Sequence, residues 1–113
     1  FAGTAGAIIA NIYDVQKFIT AAAKGELLSQ ATQTERMKMV NLLGANYGYG
    51  LGIYKLMNWI GHNGEVPGYL SSAYYNPQIG ATVVIHYNMT EASETDRLFI
   101  SIKDLIEKYY GTK

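Results

Sequence analysis

The chain has 113 residues, 49% of them apolar and 16% charged, which is the composition of one globular domain or part of a larger one, long enough to bury a core. Nine basic and nine acidic residues cancel without a long run of either sign, so the electrostatic footprint of a nucleic-acid binder is missing. The absence of cysteine excludes a disulfide framework and a thiolate metal site but leaves the redox compartment open, and no apolar run reaches the roughly eighteen residues of a membrane span.

The start, Phe1 to Gly6, has neither an initiator methionine nor a signal-peptide layout, and it reads as the middle of something longer. From Asn11 to Lys24 the pattern is helical. Ile12, Val15, Phe18, Ile19 and Ala22 recur at three and four residues, Asn11 is an N-cap with Asp14 in the first turn, and Lys24 and Gly25 give the stop signals. Leu27 and Leu28 read as a buried anchor. Ser29 then caps a second helix expected over about 30–39, with Glu35, Arg36 and Lys38 in water.

Leu42 and Leu43 lead into Gly44, and glycine recurs at 48, 50 and 52 with Tyr47, Tyr49, Leu51, Ile53 and Tyr54 between them. This predicts a strand over about 47–55 with one bare face that another backbone or helix can approach closely. A phosphate loop is the sharper reading of these glycines, but no lysine-serine or lysine-threonine pair comes after them and no helix is signalled.

A strand over about 59–64 leads into Gly61-His62-Asn63-Gly64-Glu65-Val66-Pro67-Gly68-Tyr69. A histidine between glycines, followed by a Pro-Gly turn, sets backbone amides and one titratable ring in a space with few side chains. Strands over 70–75 and 81–88 flank the turn residues Asn76 to Gly80 and predict an antiparallel hairpin, the second strand being the more buried. A closing helix over about 93–110 has Leu98, Phe99, Ile102, Leu105, Ile106 and Tyr109 as its apolar stripe, Ser93 as cap and Gly111 as stop. The fold class is α+β, an antiparallel β-sheet flanked by helices, in a single partial domain over 1–113.

Local chemistry alone gives few active groups. The two histidines, His62 and His86, lie in separate strands without carboxylates spaced to complete a metal site, and no cofactor motif is present. Ser71 and Ser72 come soon after His62 but lie in no nucleophile-elbow pattern. His62 reads either as a turn-proximal histidine or as a site residue, and His86 as a packed or edge residue of its strand. Ten tyrosines invite a stacking surface, but seven of them fall between Tyr47 and Tyr87, where strand preference alone would put them.

Three segments in order resemble the C-terminal third of the serine β-lactamase and penicillin-binding protein family, in the branch of class C β-lactamases, D-alanyl-D-alanine carboxypeptidases and related esterases. They are Ala5-Gly6-Ala7-Ile8 through Asp14, Phe18 and Gly25-Glu26-Leu27-Leu28-Ser29; Tyr49-Gly50-Leu51-Gly52; and Gly61-His62-Asn63-Gly64 with Pro67-Gly68-Tyr69. Pro77 and the apolar strand to Asn88 match the next segment of the family pattern.

The resemblance implies a third active-site motif on the sheet's edge strand, usually Lys-Thr-Gly or His-Thr-Gly. In that role His62 would be the cationic or hydrogen-bonding residue, Asn63 would help hold a substrate carboxylate, and Gly64 would admit the substrate backbone. The Glu65 backbone N–H would be an oxyanion donor. Asn63 departs from the family's usual hydroxyl residue, which bears on substrate preference. The family's Ser-x-x-Lys and Tyr-x-Asn motifs are expected upstream and neither is identified in this chain, so the isolated chain is expected to be inactive.

A D-alanyl-D-alanine peptide or β-lactam, the N-terminal portion of the same protein and an extracytoplasmic location are implied in the same way. Without the family's neighbouring strands, the edge of the 81–88 strand is expected to favour self-association. The rival reading is a non-catalytic module that binds a peptide or muropeptide in the same groove.

Overall fold

The computed structural model describes residues 4, 6–41, 46–89 and 94–111. Helix α1 is Ile12–Lys24. The Asn11 side chain accepts from the Asp14 N–H at 3.0 Å and donates to the Asp14 carboxylate at 2.8 Å, and Gly25, at φ 79°, closes the helix with its N–H on the Ala21 and Ala22 carbonyls. Helix α2, Gln30–Arg36, starts at Ser29, whose Oγ accepts from the Thr32 N–H. It is shorter than expected because the chain returns over its end: Leu51 N–H takes the Arg36 carbonyl at 3.0 Å.

Among the described residues six strands form one antiparallel sheet in chain order: β1 Val40–Asn41, β2 Tyr47–Tyr49, β3 Tyr54–Leu56, β4 Trp59–Val66, β5 Tyr69–Asn76 and β6 Ala81–Tyr87. The single strand expected over 47–55 is instead a hairpin, β2 and β3, folded at Gly50 to Ile53. Gly50 N–H donates to the Ile53 carbonyl at 2.8 Å, and Gly52 takes a left-handed φ of 65° that other residues resist. A Cβ on Gly50 would stand 2.2 Å from the Arg36 carbonyl oxygen, so the close approach expected of these glycines is made at the turn. Leu42 to Gly44 lie outside the described residues.

Helix α3 is Glu94–Tyr110; its expected cap Ser93 also lies outside the described residues. Tyr75 pairs with Thr82 and Tyr74 with Val83, and alternation puts these pairs on opposite faces. Helix α1 lies on the first face, with Thr20 and Thr82 hydroxyls 2.8 Å apart and the Lys24 ammonium 5.6 Å from the Tyr75 ring centroid. Helix α3 lies on the second, where Phe99 stacks on Tyr74 at 4.2 Å and meets Trp59 edge-on at 5.5 Å. Trp59, Tyr74, Val83, Ile85 and Phe99 are the buried core, lined by Leu98, Ile102 and Ile106 from α3.

Three expectations of burial fail. In the β5–β6 hairpin the first strand, not the second, is the more buried, because β5 is flanked by β4 and β6 while β6 ends the sheet. Leu27 and Leu28 are exposed, and so are Ile12 and Phe18 of α1, because the described chain has no layer outside this helix; only Ile19 and Ala22 of its stripe are buried. On α3 the expected Leu105 and Tyr109 face solvent while Lys103 is buried. No helix among the described residues is long and apolar enough to cross a membrane.

Candidate functional site

Strand β4 is paired along its whole useful length on one side only. Strand β5 covers Ile60 to Val66, whereas β3 stops at Gly61, its partner being Tyr54. From His62 to Val66 the β3 side of β4 therefore has no strand partner among the described residues, and alternate backbone N–H and C=O groups point into that open side. Gly61, at the start of this stretch, brings β4 against β5 so closely that a Cβ would stand 2.0 Å from the Ala73 carbonyl oxygen. Pro67 and a left-handed Gly68, at φ 87°, then turn the chain into β5.

His62, Asn63, Gly64 and Glu65 thus share the open part of β4. The His62 ring is held at two points. Nδ1 faces the Asn63 carbonyl, and Nε2 lies 3.0 Å from the Tyr49 hydroxyl, which can donate or accept according to the tautomer of the ring. Tyr49 and Tyr54 pack around the imidazole with centroids 5.6 and 4.7 Å away, and Tyr47 lies against Tyr54. Two tyrosines that strand preference would explain are therefore brought to the histidine by the β2–β3 hairpin, and a third, Tyr47, packs behind them on Tyr54.

Asn63 is tied to α3. Its Nδ2 donates to Asp96 Oδ2 at 2.9 Å, and Ser72, its cross-strand neighbour on β5, donates its hydroxyl to Asp96 Oδ1 at 2.8 Å. Asp96 lies in the first turn of α3, where the helix dipole favours an anion. Its charge reaches further: Tyr74 is held well above the usual phenol range, chiefly by burial and next by Asp96, and Tyr47 is raised by burial, Tyr54 and Asp96. Gly64 faces Ser71 across the strands, where a Cβ would stand 2.6 Å from the Ser71 hydroxyl, and Glu65 is exposed. A small cavity of about 140 Å³ is lined by Asn63, Gly64, Glu65, Leu70, Thr95 and Asp96.

Ser72 has no basic partner among the described residues and is fully buried, so it is not an activated nucleophile. His86 lies exposed on β6, at the sheet edge. The letters Tyr-x-Asn do occur once, at Tyr74-Tyr75-Asn76, contrary to the expectation that the chain holds no such string. Here they are structural: Tyr74 stacks in the core, and Asn76 Oδ1 accepts from the Gln78 and Ile79 N–H groups to form the β5–β6 turn. Among the described residues no three histidine or acidic side chains are grouped as metal ligands.

A family model described as Beta-lactamase matches residues 1–105. The chain belongs to the beta-lactamase family. Solved structures with the same α+β fold include a penicillin binding protein from Bacillus halodurans, 20% identical, with a TM-score of 0.68 over 83% of this chain and 30% of that one. A D-stereospecific amidohydrolase from Streptomyces sp. is 27% identical, with a TM-score of 0.67 over 89% of this chain and 30% of that one. A D-amino acid amidase from Ochrobactrum anthropi SV3, complexed with D-phenylalanine, is 20% identical, with a TM-score of 0.67 over 88% of this chain and 36% of that one. This beta-lactamase-family chain spans about a third of the length of each of these relatives, two of which, the amidohydrolase and the amidase, are named as hydrolases.

Proposed function

We propose that this chain forms one wall of the acyl-transfer site of a serine-type hydrolase, whose substrates are D-alanyl-D-alanine peptides, β-lactams or the related amides of D-amino acids. The observation that carries the reading is the open side of β4 from His62 to Val66, beside a histidine held by Tyr49. An extended substrate can lie along that side as an added strand, its backbone paired with β4 and its scissile carbonyl near Glu65.

The chemistry divides between this chain and the rest of the protein. A serine with a lysine base, expected in the rest of the protein, attacks the carbonyl carbon and forms a tetrahedral intermediate. The Glu65 backbone N–H donates to the oxyanion as charge develops there, an interaction absent in the planar ground state and so effective on kcat. His62, fixed by the Asn63 carbonyl and Tyr49, holds the polar side of the groove. The lysine passes the serine's proton to the amine nitrogen as the C–N bond breaks, the amine leaving or, in a β-lactam, staying tethered through the opened ring, and water then hydrolyses the acyl-enzyme. Location outside the cytoplasm belongs to the same proposal.

The test is covalent labelling. The full-length protein acquires one adduct from a labelled penicillin, and this chain alone acquires none. An adduct on this chain alone would overturn the assignment of the nucleophile to the rest of the protein. Binding of peptides by the full-length protein without any adduct or turnover would favour the non-catalytic module.

A further inference from the structure

Resting on that reading, the structure points further, to the charge of the substrate group that lies beyond the scissile bond. We propose that Asp96 makes the site select substrates with a hydrogen-bond donor there, a carboxamide or an ammonium, against those with a carboxylate.

Asn63 occupies the position at which the family resemblance expects a residue that holds a carboxylate. Here its Nδ2 already donates to a carboxylate of the protein, Asp96 Oδ2, at 2.9 Å. The other Asp96 oxygen takes the Ser72 hydroxyl at 2.8 Å, so Asp96 is held in place from both strands. What Asn63 and Asp96 keep for a ligand is mostly acceptor capacity: the Asn63 Oδ1 and the remaining carboxylate lone pairs. The cavity beside them is also lined by Glu65, and among the described residues none of its lining is basic. The nearest arginine in sequence, Arg97, is turned outward to Glu94 at 3.3 Å.

A carboxylate brought within hydrogen-bond reach of Asn63 would therefore sit roughly 5 Å from the Asp96 carboxylate, a like-charge contact that disfavours it. A carboxamide or ammonium in the same place finds acceptors. The site discriminates by repelling one class as well as by binding the other.

The experiment uses the full-length protein and two matched substrates, an acylated D-alanyl-D-alanine with a free C-terminal carboxylate and its C-terminal carboxamide. The carboxamide is expected to have a kcat/KM at least about tenfold higher. Added salt should raise kcat/KM for the carboxylate substrate and leave the carboxamide nearly unchanged, since screening acts only on the charged pair.

Asp96→Asn removes the charge while its amide oxygen can still accept from Asn63 Nδ2 and its NH2 can donate to the Ser72 hydroxyl, and it should reduce the preference about tenfold or more. A purely structural role for Asp96 would lower both substrates together and leave their ratio and its salt dependence unchanged. Preference of the wild-type protein for the carboxylate substrate, or a ratio indifferent to both Asp96→Asn and salt, overturns the inference while the hydrolase reading stands. No turnover of either substrate, together with no adduct from penicillin, overturns both.

Discussion

Trp59 Nε1–H donates to Glu107 Oε1 at 2.7 Å, and the other oxygen of the same carboxylate receives the buried Lys103 ammonium at 3.0 Å. The indole at the start of β4 is thereby fixed to the last turns of α3 by a charge-assisted bond as well as by its packing on Phe99. Trp59 is fully buried, so Trp59→Ala should cost about 3–5 kcal/mol of folding stability. Trp59→Phe keeps an aromatic ring but leaves the Glu107 oxygen without its donor, for about 2 kcal/mol. Urea denaturation of the two variants measures both, and equal losses would contradict a separate role for the hydrogen bond.

Stability should fall in alkaline solution. Burial by itself lowers the pKa of Lys103, but the hydrogen bonds and charges of Asp104 and Glu107 outweigh it and the pKa is raised above the ordinary 10.5. Tyr74 is raised above the ordinary 10.0, first by burial and then by Asp96. Both groups bind protons more tightly folded than unfolded, so their contribution is fully present below about pH 10 and is lost as pH rises through the folded-state values. The urea midpoint should therefore be level from neutrality to about pH 10 and decline above it, and Tyr74→Phe should reduce the decline. A midpoint that stays level through pH 11 would contradict this, because the unfolded chain begins to release these protons near the ordinary values of about 10.

Gly61 has no room for a side chain, its Cβ direction being filled by the Ala73 carbonyl and the Tyr74 Cα. Gly61→Ala should push β4 from β5 at the point where the open side begins, costing about 2–3 kcal/mol. Proton exchange at the β4–β5 ladder would show the loss locally, and a ladder as protected as in the wild type would contradict it.

The Tyr49 hydroxyl is the partner of His62 Nε2 in the proposed groove. Tyr49→Phe should cost only about 1 kcal/mol of stability, because the ring contacts with Tyr54 remain. In the full-length protein it should lower the acylation rate about tenfold by loosening the imidazole. A change in stability with an unaltered rate would separate the tyrosine from the chemistry.

Strand β6 ends the sheet with no partner strand on its outer side among the described residues. The isolated chain should associate as its concentration rises, through pairing of this edge. His86 is exposed there, and His86→Lys should weaken the association. Sizing across a hundredfold range of concentration checks it, and a monomer throughout would contradict it.

The parts of this fold legible in the sequence are those encoded locally. Asn11, Asp14 and Gly25 specify α1 within its own length, and the Asn76 to Gly80 turn specifies the β5–β6 hairpin. The fold over Gly50 to Ile53 was not legible, because alternating glycine and tyrosine look the same in one strand and in two short ones. Only the tertiary bond from Leu51 to Arg36 separates the cases.

Lys103 stands four residues after Phe99 and three before Ile106, on the apolar stripe of α3, but its charge hides a burial that depends on two carboxylates. In the candidate site, His62 through Glu65 could be located because they are contiguous. Asp96 could not, being 33 residues from Asn63 and 24 from Ser72, with nothing in its own helix to mark it.

The most direct test of the proposed site replaces a single proton donor. Exchange of the backbone amide of Glu65 for an ester in the full-length protein removes that N–H and leaves every side chain in place. The expected result is a fall in kcat of about a hundredfold to a thousandfold with little change in KM, since the donor acts on the oxyanion of the transition state. An unchanged kcat in a protein that still folds would contradict the assignment of this amide to the oxyanion.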